Sequence, residues 1–410
     1  MKKKFSKQDN DKVNIVLNCG SSSVKYKVFV SKNETCLAEG VVEKVGAPGA
    51  IIKHRHCING RSIKKVAEIK NHRVAVEGIL NFILSPENKI ITGKSQIKAV
   101  GHRIVHGGKY SAPAVISGEV KKYLTDVTFE LAPLHNPYNY QGIEAIEEIL
   151  PGVPNVGVFD TAFHQTIPDF AFMYAIPYRY YVKHLIRKYG FHGTSHHYVM
   201  ERAIEMLKIP REKSRIITGH LGNGASLSAT KGGKCVDTSM GFTPLEGVMM
   251  GTRCGDIDPA AVLHIMMEEE LDIRRMGAVL NRQSGLAGVS GISNDMREIL
   301  KSIKAGNERA ILAFGMFCYR IKKYIGSYIA VLNGADAVVF TAGAGENSPA
   351  VRKEVLKNLE NLGIIIDLKK NEEIKNGACG VISADNSDVK VIVIPTDEEL
   401  MISRMVDKII

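Results

Sequence analysis

The 410-residue sequence contains no tryptophan, no CxxC cysteine pair and no apolar run of the ~20 residues that a membrane span requires. Its seven cysteines are scattered along the chain, which argues against a disulfide framework and a zinc knuckle and favours reduced thiols in the cytoplasm. The N-terminal lysines are not followed by an apolar segment, so we expect residues 1–12 to form a disordered basic tail rather than a secretory signal.

The charge balance is basic, with 54 Lys and Arg against 43 Asp and Glu and a net charge of +11. Nucleic-acid binding would require a concentrated basic stripe with interleaved aromatic residues, whereas these lysines are dispersed, so nucleic acid is not an expected partner. A basic protein attracts small anionic substrates, and a solvated basic surface is the ordinary alternative. The hydrophobic fraction of 45% and charged fraction of 24% are typical of a soluble globular protein.

The hydrophobic pattern runs from strands to helices, and this order occurs twice. We therefore predict two α/β domains with a cleft between them, residues 13–163 completed by a closing helix at 396–410, and residues 164–395. Thr396 and Glu399 have the spacing of a capping box for that closing helix. The main predicted strands lie at 13–58, 97–105, 153–159, 215–238, 337–341 and 389–394, and the main helices at 73–84, 140–150, from 259 onward, and at 307–332.

Two turns rich in glycine and hydroxyl residues stand between apolar runs, one in each half of the chain. The first is Asn18-Cys19-Gly20-Ser21-Ser22-Ser23, and the second is Gly222-Asn223-Gly224-Ala225-Ser226. Glycine lets backbone N–H groups approach an anion closely, and serine hydroxyls add donors, so such turns suit phosphate. A single turn of this kind is usually only a hairpin connection, but the pair indicates a duplicated fold that binds a nucleotide.

Arg103 ends a predicted strand and shares one face of it with Val105. A guanidinium beside a small apolar side chain could hold the carboxylate of a short acid and its alkyl end, although a structural ion pair is the ordinary alternative. Asp160 follows another strand, where α/β active sites collect, and could equally cap the next turn.

His192 and Arg253 lie in glycine-rich loops before predicted helices. His192 and His196 are four residues apart, as metal ligands on a helix would be, but a helix start at Gly193 leaves His192 outside it and the zincin glutamate is absent. A loop histidine donating to an anion is the favoured interpretation. Arg253 could neutralise charge on a transferring phosphoryl group.

Nine sequence blocks in order make the chain similar to the acetate kinase family from residue 13 to the C-terminus. The blocks are NCGSSSVKY (18–26), HRIVHGG (102–108), LAPLHNP (131–137), FDTAFHQTIP (159–168), YGFHGTSH (189–196), HLGNGASL (220–227), GTRCGDIDP (251–259), TAGAGENS (341–348) and PTDEEL (395–400). The resemblance implies two duplicated actin-like (ribonuclease H-like) α/β domains with an interdomain cleft. It also implies reversible phosphoryl transfer from ATP to acetate, with Mg²⁺ or alternatively Mn²⁺, in a homodimer.

The resemblance further implies a role for each matched site residue. Arg103 would hold acetate, with Val105, Leu134, Phe191 and Pro244 around its methyl group. His192 and Arg253 would stabilise the phosphoryl group, and Asp160 would be the catalytic carboxylate. Asn18 and Glu398 would support the metal, with Ser21, Ser23 and Lys25 nearby. The nucleotide would contact His220, Leu221, Gly222, Asn223, Gly224, Asp295, Met296, Arg297, Gly343, Ala344, Gly345, Glu346 and Asn347.

Three other functions remain as alternatives. A propionate or butyrate kinase would use the same residues, and Val105 leaves limited room for a longer acid, although a methylene is worth only ~1–3 kcal/mol. A non-catalytic ATP-binding module of the actin or Hsp70 type would not require a carboxylate-type arginine. A zinc hydrolase is the most distant alternative.

Overall fold

The computed structural model describes residues 11–410, so most of the predicted basic tail lies outside the described residues. The described chain divides into two compact units. Unit 1 contains residues 11–162 and Asp397–Ile410, and unit 2 contains Phe163–Thr396. Phe163 and Thr396 belong to unit 2, whereas the sequence analysis placed both in the N-terminal domain. Within residues 11–410, no helix combines the length and apolar character needed to cross a bilayer.

Both units contain strands and helices, and in each unit a run of antiparallel strands comes before most of the helices. The strands are β1 (Val13–Gly20), β2 (Ser23–Val30), β3 (Cys36–Glu43), β4 (Ala50–His56), β5 (Ser62–Ala67), β6 (Ile97–Ile104), β7 (Ala114–Val115), β8 (Asn155–Phe159), β9 (Arg215–Leu221), β10 (Ala225–Lys231), β11 (Lys234–Thr238), β12 (Ala337–Thr341), β13 (Gly380–Val381) and β14 (Lys390–Val393). The helices of unit 1 are α1 (His72–Leu84), α2 (Gly118–Tyr123), α3 (Phe129–Leu131), α4 (Asn136–Ile149) and, at the end of the chain, α16 (Glu398–Asp407). The helices of unit 2 are α5 (Asp169–Phe172), α6 (Arg179–His184), α7 (Gly193–Leu207), α8 (Pro259–Glu268), α9 (Ile273–Arg282), α10 (Gly285–Ser290), α11 (Met296–Lys304), α12 (Glu308–Leu332), α13 (Ala342–Asn347), α14 (Pro349–Leu356) and α15 (Leu368–Glu373).

Unit 1 is built on an eight-stranded sheet in the order β5-β4-β3-β2-β1-β6-β8-β7. Strands β1 to β5 form an antiparallel meander, while β6 pairs in parallel with both β1 and β8. One sheet face packs on α1 and α4, and the other packs on Ile402 and Val406 of α16. The parallel strands β1, β6 and β8 therefore present their carboxyl ends at one edge, where ligand sites of α/β sheets form.

Unit 2 repeats this order in a six-stranded sheet, β11-β10-β9-β12-β14-β13. Strands β9, β10 and β11 form an antiparallel meander, and β12 pairs in parallel with both β9 and β14. The strand β9 thus corresponds to β1 and the strand β12 to β6. Both glycine-rich turns follow the first strand of their sheets, which confirms that the two halves of the chain are structural duplicates.

Two element boundaries differ from the sequence predictions. Helix α4 begins at Asn136 rather than Tyr140, with Pro137 in its first turn, a position where the missing N–H of proline has no cost. The predicted capping box at Thr396 is wrong, because Asp397 caps α16 by accepting from Leu400 N–H at 3.0 Å. The hydroxyl of Thr396 instead shares a 2.8 Å hydrogen bond with Ser195.

Candidate active site

In unit 1, Arg103 lies near the carboxyl end of β6, beside the carboxyl end of β8, and contacts three predicted site residues. Its Nη2 and Nε donate to Asp160 Oδ2 at 2.6 and 3.1 Å. Its Nη1 donates to Asn18 Oδ1 at 3.3 Å, and its Nε lies 3.5 Å from Glu398 Oε2. Parallel pairing of β6 with β1 and β8 accounts for this gathering, because residues that follow neighbouring parallel strands emerge together.

Arg103 and the carboxylates around it shift the pKa values of one another. Burial alone would lower the pKa of Arg103, but Asp160 and Glu398 outweigh this effect and raise that pKa above its ordinary value. Burial raises the pKa of Glu398 to about 7, with a further increase from Asp160, while the Arg103 charge opposes this shift. One guanidinium thus does not fully neutralise the two carboxyl groups, so a further cation near them would be electrostatically favourable.

The oxygen donors of this cluster fit a hard divalent cation. Asn18 provides an amide oxygen, and Asp160 and Glu398 provide carboxylate oxygens. Mg²⁺ prefers one or two carboxylates together with substrate phosphate and water oxygens. A divalent cation would also favour the charged form of Glu398 against the burial that raises its pKa.

The first glycine-serine turn joins β1 to β2 next to this cluster. Ser21 and Ser22 are the exposed turn residues, and Ser23 begins β2 opposite Gly20. Lys25 is opposite Asn18 in the antiparallel ladder, so the two side chains share one face. The Lys25 charge lowers the pKa of Glu398, which identifies it as part of the same electrostatic cluster.

Two residues predicted to surround a substrate methyl group lie in unit 1. Val105 follows β6 directly, is buried, and donates its N–H to Asn139 Oδ1 at 3.0 Å. Leu134 precedes α4, and 58% of its surface is exposed. Val105 therefore offers a fixed apolar wall beside Arg103, whereas Leu134 is accessible to solvent.

In unit 2, the second glycine turn and the start of α13 open onto a cavity of about 690 Å³. Eight residues predicted to contact nucleotide line it: Gly222, Asn223, Asp295, Met296, Arg297, Gly343, Ala344 and Asn347. A β-carbon at Gly343 would lie 3.9 Å from Gly222 Cα, so the two glycine segments are in close contact. The sequence did not identify Leu286, Asn294, Leu300, Phe317, Ser348 and Asn376, which complete the lining.

Five of the predicted nucleotide contacts do not line this cavity, and two of these five form hydrogen bonds within unit 2. Glu346 Oε1 accepts from the N–H groups of Ala342 and Thr396 at 2.7 and 3.1 Å. His220 shares a 2.8 Å hydrogen bond with Ser195 through Nδ1. Leu221, Gly224 and Gly345 are likewise outside the cavity lining. Asp295 does line the cavity, and it also caps α11 by accepting from Arg297 N–H at 2.9 Å.

Arg253 lies in a stretch without helix or strand between β11 and α8. Its Nη1 donates to the carbonyl of Pro244 at 3.2 Å, which brings two predicted site residues together. Burial lowers the pKa of Arg253, and no carboxylate among residues 11–410 offsets that effect. A partly buried guanidinium without a carboxylate partner is a strong candidate for binding an anionic ligand.

Gly224 lies close to both Arg253 and His192. A β-carbon at Gly224 would be 3.2 Å from Arg253 Nη1 and 3.5 Å from His192 Nε2. Because the shorter distance is tighter than ordinary contact, glycine allows both side chains to approach the turn. Phe191, the residue before His192, is buried and accepts from His164 Nε2 through its carbonyl at 2.9 Å.

A hydroxyl that the sequence analysis did not identify links His192 to a buried second histidine. Ser226 Oγ lies 2.9 Å from His192 Nδ1 and 2.8 Å from His196 Nε2. The other nitrogen of His196 lies 2.7 Å from Thr218 Oγ1. Burial lowers the pKa of His196 well below its ordinary value, so this imidazole is neutral. Since Ser226 has only one hydroxyl proton for two imidazoles, the tautomers of His192 and His196 are coupled.

Asp256 and Tyr324 fix the segment that carries Arg253, and the sequence analysis missed both. Asp256 Oδ1 accepts from Gly247 N–H at 2.8 Å, and Asp256 N–H donates to the Gly247 carbonyl at 2.8 Å. Tyr324 of α12 donates its hydroxyl to Asp256 Oδ2 at 2.8 Å. These three bonds close the chain between Gly247 and Asp256 and anchor it to a long helix.

Comparisons with known proteins agree over nearly the whole chain. Residues 13–404 match the Acetokinase family. The acetate kinase of Caldicellulosiruptor saccharolyticus is 52% identical over 390 residues, which are 95% of this chain and 97% of the relative. The acetate kinase of Methanosarcina barkeri is 52% identical over 397 residues, covering 97% and 96% of the two chains.

Solved structures give the same result for the fold. The acetate kinase of Porphyromonas gingivalis superposes with a TM-score of 0.91 at 48% identity, covering 96% of this chain and 98% of that chain. The propionate kinase of Francisella tularensis subsp. tularensis superposes with a TM-score of 0.89 at 39% identity, with coverages of 96% and 98%.

Proposed function

The chain belongs to the acetokinase family, and we propose that it transfers the γ-phosphoryl group of ATP reversibly to acetate, giving acetyl phosphate and ADP. Its fold is the duplicated actin-like α/β architecture that the sequence predicted. The observation within the chain that best supports this activity is the partly buried guanidinium of Arg253, which has no carboxylate partner among residues 11–410 and lies with His192 close to the Gly224 turn.

Unit 1 supplies the acetate-binding part of the proposed reaction. Arg103 orients the acetate carboxylate, and Val105 provides an apolar surface for the methyl group. Acetate is already an anion and needs no general base, so Asp160 acts electrostatically by holding Arg103 in place. The oxygens of Asn18, Asp160 and Glu398 would hold Mg²⁺, which supplies positive charge to the phosphate oxygens when bound.

Unit 2 supplies the nucleotide-binding part. The cavity lined by Asn223, Met296 and Ala344 takes the nucleotide, and the glycine segments allow backbone N–H groups to approach its phosphates. His192 and Arg253 donate to the transferring phosphoryl group. Two like charges at ~4 Å repel by roughly 4 kcal/mol at an effective dielectric constant of 20, and the positive charge of Arg253 offsets that repulsion.

The phosphoryl group is transferred directly in line, without a phosphoenzyme. Substrate carboxylate oxygen attacks the γ-phosphorus, the bond to the β–γ bridging oxygen breaks, and ADP leaves with that electron pair. Inversion of configuration with chiral γ-phosphate supports this course. Retention, or a trapped phosphorylated carboxylate of the protein, would contradict it.

A hydroxamate assay for acyl phosphate tests the activity and the choice of acid. The purified protein is given ATP with acetate, propionate or butyrate, with and without Mg²⁺, and kcat/KM is compared. Magnesium-dependent acyl phosphate with acetate as the best substrate is expected, because buried Val105 limits room for a longer chain. No acyl phosphate from any of these acids would reject the proposal, whereas a preference for propionate would revise only the substrate.

Two further expectations from the family resemblance accompany the activity. We expect a homodimer, which light scattering on the purified protein tests directly. We also expect a cytoplasmic location, which is consistent with seven free cysteines in the described chain.

A further inference from the structure

Two cysteines of unit 1 lie unusually close together, outside the site described above. Cys36 begins β3, and Cys57 directly follows β4, its N–H donating to the Leu37 carbonyl at 2.9 Å. The ladder is irregular where Cys36 pairs with Phe29, between Val28 and Phe29 of the facing strand. The Sγ atoms of Cys36 and Cys57 are 2.9 Å apart, and both side chains are partly exposed.

Glu39 adds a third donor to the two sulfurs. One ligand atom from each of Cys36, Glu39 and Cys57 lies within 4.8 Å of the other two. Among the described residues, none of the three forms a hydrogen bond or ion pair with Arg103, Asp160 or Glu398. The cluster is therefore chemically separate from the proposed acetate and magnesium groups.

The surrounding charges suit an anionic set of ligands. Arg55 Nε lies 2.9 Å from Glu39 Oε1, which leaves the second carboxylate oxygen as a further ligand atom. Lys27 is a second cationic side chain whose charge acts on Cys36. Two thiolates, one carboxylate and a divalent cation would leave one negative charge next to these two cationic side chains.

We propose that Cys36, Cys57 and Glu39 bind one soft divalent cation of the Zn²⁺ class, with water as the fourth ligand. Thiolate ligands select Zn²⁺ over Mg²⁺, so the ion required for phosphoryl transfer would not compete for this site. Zn–S bonds of ~2.3 Å in a tetrahedron place the sulfurs about 3.8 Å apart. Rotation of two partly exposed cysteine side chains provides the widening of about 0.9 Å that this requires.

A disulfide is the competing fate of this pair, and Glu39 distinguishes the two. A disulfide would require the sulfurs to close to ~2.05 Å and an added oxidant such as a peroxide, and it would leave the carboxylate without a role. A zinc site uses Glu39 as a ligand. Replacement of this single residue should therefore change metal affinity and leave thiol oxidation unchanged.

The test is a Zn²⁺ titration of the full-length protein, purified with a reductant and stripped by a chelator, in competition with a chromophoric zinc indicator. One equivalent should bind tightly, and Co²⁺ should give a thiolate charge-transfer band. Cys36→Ser and Cys57→Ser should each weaken binding by more than about 100-fold, and Glu39→Gln by about 10-fold. Cys379→Ser is the matched control, because Cys379 is an exposed cysteine of unit 2, and it should bind as the parent does.

Three outcomes would overturn the proposal. One is that no Zn²⁺ binds, and another is that Cys379→Ser weakens binding as much as Cys36→Ser. The third is that the parent and Glu39→Gln bind zinc with equal affinity and, without reductant, form a disulfide at equal rates, which mass spectrometry detects as the loss of two hydrogen masses. Each variant is checked for cooperative melting, and the two cysteine variants provide independent measurements if one fails to fold. Acyl phosphate formation with Mg²⁺ should be unchanged in all of them, so the outcome is separable from the proposed kinase activity.

Discussion

The side chain of Arg253 combines partial burial, positive charge and the lack of a carboxylate partner within the described chain. Folding a guanidinium into such a position is unfavourable unless an anion compensates it. His192 approaches the same glycine, so the two side chains converge where a phosphate would bind. A bound phosphate would therefore compensate the free energy that it costs to bury the Arg253 charge.

Replacement of this arginine should affect turnover more than binding. We expect Arg253→Ala to reduce kcat by about 10³-fold and to change nucleotide KM only a few-fold, because charge on the phosphoryl group develops in the transition state. Steady-state kinetics measure both constants. Arg274→Ala, at an exposed position of α9, is the control. Equal changes in kcat and nucleotide affinity would make Arg253 a binding residue only.

The hydroxyl of Ser226 should set the protonation behaviour of His192. Ser226→Ala removes the group that couples the His192 and His196 tautomers, and we expect kcat to fall roughly 10-fold with a displaced pH–kcat profile. Ser228→Ala, on the same strand, provides the control because Ser228 contacts neither histidine in the bonds described. A lower melting temperature with an unmoved pH profile would reduce Ser226 to a structural role.

At the scale of elements, the segment between β11 and α8 depends on side chains for its shape because it has no regular ladder of backbone bonds. The paired bonds between Gly247 and Asp256 close this segment, and Tyr324 anchors it to α12. An active-site arginine on an irregular loop needs such anchoring, since small displacements of a catalytic group reduce rates strongly.

Removal of the Tyr324 hydroxyl should loosen the segment between β11 and α8 without creating a cavity in the protein core. Tyr324→Phe loses the bond to Asp256, and we expect about 1 kcal/mol lower stability and roughly fivefold lower kcat. Urea unfolding and the acyl phosphate assay measure the two effects. Tyr319→Phe, at an exposed tyrosine of the same helix, is the matched control. A stability loss with unchanged kcat would show that the anchor does not position Arg253.

Local sequence signals predicted most elements because they act within a few residues. Asp258 and Asn307 each accept a backbone N–H at the start of the predicted helices, and Asn333 ends α12 in the left-handed conformation. Thr396 failed as a cap because its hydroxyl bonds Ser195, 201 residues away in the sequence. Strand β5 went unpredicted because its side chains are mostly exposed, so it lacks the alternation of a half-buried strand.

The candidate site follows the same division. Motif spacing placed Arg103 and Asp160 at strand ends, and parallel pairing then brought them together. Ser226, Asp256 and Tyr324 could not be found in this way, because each acts through a partner 30 to 68 positions distant in the sequence. Such contacts depend on packing between elements, which periodicity does not encode.

For the whole molecule, buried neutral histidines make stability depend on pH. Burial lowers the pKa of His102 from 6.5 to about 4, although its hydrogen bond with Asn155 partly opposes this shift. The unfolded chain therefore binds a proton near pH 6.5 and the folded protein only near pH 4. The contribution of neutral His102 to the free energy of unfolding is fully present above pH 6.5. It is lost as the pH falls from 6.5 to 4, by about 3 kcal/mol at most.

A pH series of urea denaturations checks this expectation. The free energy of unfolding should fall between pH 6.5 and 4, and His102→Gln should make the dependence less steep. His184→Gln, at an exposed position, should leave the slope unchanged. A slope that His102→Gln does not alter would assign the acid sensitivity to other groups.

Helix α16 comes from the end of the described chain yet covers one face of the first sheet, where Ile402 and Val406 pack on Val16 and Val158. The ribosome must therefore synthesise all of unit 2 before α16 can cover this face of the unit 1 sheet. Glu398 lies on the same helix, so the nascent polypeptide lacks a member of its charged cluster until all of unit 2 has been synthesised. Premature termination upstream of this helix would leave an exposed apolar surface that promotes aggregation, and a protein without activity.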